Sequence, residues 1–496
     1  MTVVVRNALL FFVALLSIGL SVYHLEQARA GIETSNVFVD KTPATRYKLP
    51  DTHGPMVIVA HGFAGSRQLM QGFSLTLARA GYDVIAFDFE GHGRNPVPMS
   101  GDVTAIDGTT RLLVEETRRV ILVAKELTTN DQGIALLGHS MATDVIIRAA
   151  IDDASTGADI ATIVGISTFS NAITETDPAS LLIINGQWEA RLREPALKQL
   201  KMLDPLAVEG ETAVAGDVIR RVVVAPYVEH VSVLYSHEAL KEILVWMDTT
   251  YQRSSNTRIA SLGGWILLLL AGILLFFKPL ANCLPEIPSA RNNLPVKTFW
   301  LAILMPACIT PLLALAPAVQ LLPVLVADYL MMHLALYGLM QLLIVRSMLS
   351  GVRASALAAA AVLAIWGIVV FGLALDRYAA SFLPTGGRLS VIAVLCLGTI
   401  VFMVADSLVT GVGRGPLWRR LVARFTLLAS LGIAAAIDPE RLVFLLIIFP
   451  LLILFYLVHG LMGRWVAQRS GALAAGAGLG LCLAWALGVS FPLFDA

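Results

Sequence analysis

Ser140 has the sharpest chemical context in this sequence. It lies in the pentapeptide GHSMA (Gly138–Ala142), after the apolar run Ile134–Leu137 and directly before residues that read as a helix. Small residues two places before and after a serine suit a sharp strand-to-helix turn, where neighbouring backbones crowd the chain. Such a turn lifts the hydroxyl above the end of a sheet, beside the first N–H groups of a helix. Here the second small position is Ala142, one methyl larger than glycine. A serine hydroxyl is a weak nucleophile. Attack on a carbonyl needs a base to take its proton, a third group to hold that base, and donors for the oxyanion.

The elements that would position these groups follow from hydrophobic patterning. MVIVAHG (Met56–Gly62), DVIAFDF (Asp83–Phe89), IALLGHS (Ile134–Ser140), ATIVGIS (Ala161–Ser167), SLLIING (Ser180–Gly186) and RVVVAP (Arg221–Pro226) are short, apolar on both faces and bounded by turns. That is the pattern of strands buried in a parallel sheet. Helical stretches such as SLTLARAGY and TTRLLVEETRRVILVAKELTT fill the intervals. The alternation predicts an α/β fold with helices on both faces. Ligands of open α/β sheets gather at the carboxyl ends of the strands. His230 and Glu189 each lie just beyond such an end. Asp177 precedes its strand, His237 lies within the helical SHEALKEILVWM, and Glu229 adjoins His230 too closely to orient its ring.

With HGFAGS (His61–Ser66) after an early strand and DFEGHGRN (Asp88–Asn95) after the next, GHSMA resembles the nucleophile elbow of the α/β-hydrolase superfamily. The resemblance covers roughly residues 55 to 248. It implies a mostly parallel, doubly wound sheet with the family order serine, acid, histidine: Ser140 as nucleophile, Glu189 as orienting acid, His230 as base. It also implies that the N–H groups of Phe63 and Met141 form the oxyanion hole, and it gives no chemistry to Asp88 or His92. The expected reaction is ester hydrolysis through an acyl-enzyme; peptidase and acyltransferase chemistry use the same triad. No cofactor is expected, because the domain has neither cysteine nor an H-x-x-x-H pair for zinc, and no glycine-rich phosphate loop follows a strand. Only about nine residues separate the strand ending near Ser170 from the one starting near Ser180, where many family members insert a helical cap. An open, nearly capless cleft is therefore expected, suited to a lipid or an envelope-associated ester.

Composition places much of the chain elsewhere. Of 496 residues, 56% are hydrophobic and 15% charged, and the mean hydropathy is +0.74. Soluble chains carry roughly a quarter charged residues, so a large part belongs in lipid. The zero net charge gives no electrostatic case for nucleic acid. Residues 1–23 read as a signal anchor, with a signal peptide cleaved after Ala28–Ala30 as the alternative. Residues 24–258 read as an exported hydrolase domain, and residues 259–496 as an all-α membrane domain of about eight helices that holds all four cysteines. The expected spans are 259–277, 299–319, 321–345, 355–375, 389–409, 425–437, 441–461 and 471–492, the sixth being short.

With Arg6 in the cytoplasm, alternate loops carry Lys278, Arg291, Lys297, Arg346, Arg353, Arg414, Arg419, Arg420, Arg424, Arg464 and Arg469. The other short loops hold only Arg377, Arg388 and Arg441. This bias predicts a multi-pass protein of a cell membrane, expected to be a bacterial inner membrane, with the hydrolase domain on the extracytoplasmic, periplasmic side. A linker of about ten residues, Asp248–Thr257, reaches at most roughly 35 Å and keeps that domain near the membrane. Asp328, His333 and Asp406 form a candidate intramembrane polar site, since ionisable groups in spans are costly; pairing with neighbouring helices is the structural alternative. GAGLG (Gly476–Gly480) suits close helix packing. The rival reading from another class is a transporter or lipid-handling protein whose hydrolase-like domain only binds a ligand or partner.

Overall fold

The computed structural model describes residues 3–102, 106–154, 159–287, 294–315, 322–324, 326–349 and 353–495. Arg291 and the span boundaries around 316–321 fall outside these residues.

The six expected strands form the centre of one sheet: β3 (Met56–Ala60), β4 (Asp83–Phe87), β5 (Ile134–His139), β6 (Ile160–Ile166), β7 (Ser180–Gly186) and β9 (Val218–Ala225). They pair in parallel in the order β4-β3-β5-β6-β7-β9. Three antiparallel strands that hydropathy does not reveal complete the edges. They are β1 (Glu33–Val39) and β2 (Thr42–Lys48) beyond β4, and β8 (Thr212–Ala215) beyond β9. β1 is mostly exposed and opens with four polar residues, and β8 is four residues long, so neither has a buried run to betray it.

Alternation along each strand divides two cores. Met56, Ile58 and Ala60 face α3 (Arg111–Leu127), α4 (Met141–Ala154) and α5 (Ala190–Lys201). Val57 and Val59 face α2 (Gln71–Arg79) and α6 (His237–Thr250). The second core continues into Ile266, Leu269 and Ile273 of α7 (Gly263–Asn282), so the sheet-bearing part packs directly on the apolar helices. Nor is the linker a free tether. Asp248 accepts hydrogen bonds from Tyr82 and from the backbone and hydroxyl of Ser255, folding the segment back on the sheet.

Glu116 of α3 is fully buried and accepts from Thr42, Asn95 and the Glu90 N–H. Burial pushes its carboxyl up to about 7, from an ordinary value of 4.5. The native state then binds this proton more tightly than the unfolded chain does. Stability present below 4.5 is lost as pH rises towards 7, by about 3 kcal/mol. In thermal unfolding of the full chain between these pH values, Glu116→Gln is expected to remove this slope whatever its effect on the absolute Tm. An identical slope in the variant would remove the assignment.

Among the described residues, eight helices are long and apolar enough to cross a membrane. α1 (Val3–Gln27) and α7 are followed by α8 (Val296–Leu315), α9 (Ala327–Ile344), and α10 (Ala354–Ile365) continued through a π turn into α11 (Phe371–Tyr378). Then come α12 (Arg388–Val409), α13 (Leu417–Ile437), the single turn α14 (Pro439–Leu442) and α15 (Leu445–Ser490). α13 corrects the short sixth span: its first turns carry Arg419, Arg420 and Arg424, which hide the 21-residue helix from a hydropathy reading. α15 has 46 residues, about twice the length a bilayer needs, but Gly471 leaves the helical region (φ 86, ψ 169). Phe444 before it and Leu493 after it both touch the sheet-bearing part, against Phe63 and Gly91, so α15 is a hairpin of two helical arms. Gly476 and Gly480 pack on α12 so closely that an added Cβ would lie 2.5 Å from the Cα of Val404 or Ile400.

Candidate active site

The crossover from β4 to β5 passes over β3, so the winding of the sheet reverses between β3 and β5. A crevice opens at such a switch point, outside the strand ends. The loops after these two strands carry Phe63 and Ser140. Ser140 has φ +53, a left-handed conformation that costs a non-glycine residue about 1 kcal/mol or more. Its N–H donates to the Ile166 carbonyl at 2.9 Å, and its own carbonyl accepts from the Thr143 N–H and hydroxyl. The turn is thus fixed to β6 on one side and to α4 on the other. Ala142 fits completely buried, so the extra methyl has a place in the core.

The three residues from separate strand ends converge. His230 Nε2 lies 2.8 Å from Ser140 Oγ, and its Nδ1 lies 2.6 Å from Glu189 Oε1. Glu189 also accepts, through Oε2, from the Gly186 N–H at 2.5 Å and the Ser167 hydroxyl at 2.9 Å. Burial alone would raise its carboxyl. The hydrogen bonds from His230, Gly186 and Ser167 outweigh that and hold it below the ordinary carboxylate value, so it stays ionised. A carboxylate accepting from Nδ1–H leaves Nε2 with its lone pair towards the serine. The relay is arranged to take a proton from Oγ and hold the imidazolium that results.

Phe63 and Met141 sit at the two positions expected of oxyanion donors. Among the described residues, neither backbone N–H has an intramolecular acceptor. Gly62 lets the Phe63 loop approach: a Cβ there would lie 3.0 Å from Ser140 Cβ and 2.9 Å from His139 Nδ1. His61 is buried, and burial pushes its pKa down. As a neutral ring it donates from Nδ1 to the Gly62 carbonyl and accepts from the Phe89 N–H, tying the loops after β3 and β4 together. Asp88 binds Arg67 and the Arg94 N–H within the fold, away from the serine. His237 contacts Ser261, and Glu229 caps the Val231–Ser232 turn.

Two residues of the site escape sequence reading. Ser167, at φ 52, braces Glu189 from the end of β6; its place at a strand terminus was the available signal. His139 precedes the serine and is buried, which lowers its pKa to about 4. Its Nε2 donates to the His230 carbonyl at 2.8 Å, pinning the histidine loop. His139→Leu leaves that carbonyl unsatisfied. It is expected to lower kcat about tenfold with little change in KM, measured on a soluble ester; unchanged kcat would make the contact incidental to positioning.

The intramembrane candidates do not form one site. Asp328 lies in the first turn of α9 and accepts from the Leu322 N–H. His333 bonds Tyr329 and Ser430 of α13. Asp406, in the last turn of α12, is buried and paired with Arg424 of α13 at 2.6 Å.

The expected open cleft needs correction. No helix intervenes between β6 and β7, yet the apolar helices cover one side of the crevice. Phe444 packs against Phe63 with the rings tilted and their centres 5.7 Å apart, and Val324, Val326, Phe491 and Phe494 close around them. The opposite side is open, and the His230 side chain is 43% exposed.

Residues 55–197 match the model of the alpha/beta hydrolase fold family. The sheet-bearing part therefore has the α/β-hydrolase fold, and the class defined is a hydrolase-like domain joined to a helical, apolar C-terminal part. Similar solved structures include a CIB-like hydrolase from Thermoplasma acidophilum, 14% identical over 45% of this chain and 98% of its own, with a TM-score of 0.34. An esterase from Pyrobaculum calidifontis is 13% identical over 51% of this chain and 99% of its own, with a TM-score of 0.34. An epoxide hydrolase from Vigna radiata is 22% identical over 28% of this chain, with a TM-score of 0.22; the chain spans 38% of that protein's length. No curated protein sequence matches this chain.

Proposed function

We propose that this chain is a membrane-integral serine hydrolase that cleaves an ester of a lipid or envelope-associated substrate. Its hydrolase domain, residues 24–258, stands outside the cytoplasm, and residues 259–496 form its membrane domain. The observation that carries the reading is the continuous relay Glu189–His230–Ser140, with links of 2.6 and 2.8 Å. In the proposed reaction His230 takes the proton of Ser140 as Oγ attacks the carbonyl carbon. The N–H groups of Phe63 and Met141 receive the oxyanion, and the leaving alkoxide regains the proton from His230. Water, activated by the same imidazole, then releases the acid.

Two features favour a membrane-borne substrate. Phe169, Trp188, Tyr227 and Val231 are exposed on the same loops that hold Ser167, Glu189 and His230, making an apolar rim on the open side of the triad. Aromatic side chains of this kind suit the headgroup level of a bilayer, and exposed apolar patches mark interaction sites. The hydrolase domain also touches the helix ends near Arg377 and Arg388, whereas Arg424 and Arg469 lie at the opposite ends of their bundle. The positive-inside rule favours a cytoplasmic position for the arginine-rich face, which supports the proposed extracytoplasmic side for the hydrolase domain.

A fluorophosphonate probe applied to the full chain in vesicles is expected to modify Ser140, and an ester lipid in the outer leaflet is expected to lose its acyl chain. Folded protein without a Ser140 adduct would favour the rival, a transporter or lipid-handling protein whose hydrolase-like domain only binds. An adduct with transfer of the acyl group to an added alcohol, in place of water, would favour an acyltransferase.

A further inference from the structure

The ends of the apolar helices remote from the hydrolase domain carry many cations, and the fold neutralises some of them itself. Arg424 pairs with Asp406 at 2.6 Å, and Arg469 with Glu286 at 2.9 Å. Arg6 of α1, Lys278 of α7, Arg420 of α13 and Arg464 of α15 have no carboxylate partner among the described residues. Each lies within two turns of the end of its helix, Arg464 counting to the break at Gly471.

These cations belong to helices that pack on one another. Phe11 of α1 meets Phe276 of α7 with ring centres 5.0 Å apart. Lys278 Nζ lies over the Trp465 ring of α15 at 5.3 Å, and the Arg424 guanidinium of α13 lies over the Tyr456 ring of α15 at 4.2 Å. Arg420 is one turn from Arg424. The charges act on each other accordingly: Arg6 and Arg464 on Lys278, and Arg464 on Arg420. The result is a chain of like-charged neighbours, Arg6–Lys278–Arg464–Arg420. Lys278, Arg464 and Arg420 are half-buried, so solvent and salt screen their repulsion incompletely. The positive-inside rule favours cations at this face, but it gives no reason to gather them where they repel. An anion among them offsets that cost.

We propose that this patch binds an anionic phospholipid whose head carries two phosphates, taken from the leaflet remote from the hydrolase domain. The proposal rests on the membrane part of the function proposed above and asks nothing of Ser140. A phosphodiester brings one negative charge, so a row of four cations is met better by two phosphates than by one. Arginine grips phosphate through paired N–H groups and lysine as a point charge, and basic pockets between helices are known to hold such heads. Exposed hydrocarbon favours a lipid over a free diphosphate. Leu9 on α1, Phe425 on α13 and Leu457 on α15 are all exposed, and each lies one to two turns from its cation towards the middle of the bundle. Acyl chains have apolar surface to follow there.

Native mass spectra of the full chain in a nonionic detergent, titrated with tetraoleoyl cardiolipin, are expected to show one tightly retained lipid. Dioleoyl phosphatidylglycerol, with one phosphate, is expected to bind about tenfold more weakly, and dioleoyl phosphatidylcholine and inorganic pyrophosphate more weakly still. The double variant Lys278→Gln/Arg464→Gln is expected to lose about 30-fold in cardiolipin affinity. Neither side chain holds a carboxylate, so without lipid the Tm of this variant is expected to equal the parent's or to exceed it as repulsion is relieved; a lower Tm would make the cations structural and overturn the proposal. Arg346→Gln removes a cation that is exposed after α9 and does not act on Lys278 or Arg420, and it is expected to leave the affinity unchanged. Equal affinity in the double variant and the parent, an equal loss in Arg346→Gln, or retention of phosphatidylcholine as strong as that of cardiolipin would also overturn it. Pyrophosphate binding as tight as cardiolipin would replace the lipid with a soluble anion. Carbonate extraction from vesicles reports the membrane reading separately: a chain that resists extraction yet ignores cardiolipin loses this site alone, and a chain that is extracted loses both.

Discussion

Ser140→Ala is expected to lower kcat on any ester by about 10⁶-fold, leaving only what binding and the oxyanion donors supply. The size follows from what the side chain does: without Oγ there is no atom to form the acyl-enzyme, and His230 has no proton to take. The substitution should not disturb the fold. The backbone bonds that fix the turn, from the Ser140 N–H to Ile166 and from Thr143 to the Ser140 carbonyl, involve no atom of the Ser140 side chain. Alanine also meets the left-handed φ of +53 at much the same cost as serine. In the proposed mechanism the three residues act as a unit, so His230→Ala is expected to lose nearly as much by itself, and the double variant no more than either single. Steady-state rates on a soluble ester, with Tm as a control for folding, check this. Losses that multiply in the double variant would mean that the serine and histidine work independently, and the relay would have to be abandoned.

The residues of that relay lay within reach of sequence reading because each follows a strand that hydropathy marks strongly. β3, β5 and β7 are buried on both faces and β9 is buried along much of its length, and their ends are legible as the places where apolar runs stop. What escaped had no local signature. β1 and β8 sit at the edges of the sheet, where one face is wet and alternation is weak. α13 begins with arginines that a hydropathy window takes for a loop, although Arg424 is neutralised by Asp406 and lies over the ring of Tyr456.

Arg388 reads as an ordinary loop charge. Its burial is created by carbonyls from Gly91, Gly488 and Phe491, about 100 to 300 positions away in the chain. The covering of the crevice by Phe444 is of the same kind. A short β6–β7 connection truly implies that no cap is inserted there. It carries no information about a segment some 270 residues further on that packs over Phe63 instead. Long-range packing between two separately legible units is where patterning ends.

Glu189→Gln should be the most informative substitution after the serine, with kcat expected to fall about 10⁴-fold while the fold persists. The surroundings dictate how the amide must sit. Oε2 of Glu189 accepts from the Gly186 N–H and the Ser167 hydroxyl, so the amide oxygen of glutamine takes that side. Its NH₂ is then forced towards His230 Nδ1, where Oε1 now accepts. A donor facing Nδ1 selects the imidazole tautomer with its proton on Nε2, the atom that must receive the proton of Ser140. The base is thus disabled by its orientation, with no residue missing from the site. Glu189→Asp retains the charge on a shorter arm and is expected to keep more activity than the glutamine variant, because it still favours the productive tautomer. Comparison of kcat, KM and the rate of fluorophosphonate labelling in the two variants separates the explanations. If glutamine proved as active as glutamate, the carboxylate would be only a brace for the Gly186 and Ser167 loops, and His230 would have to find its orientation in His139 and the backbone alone.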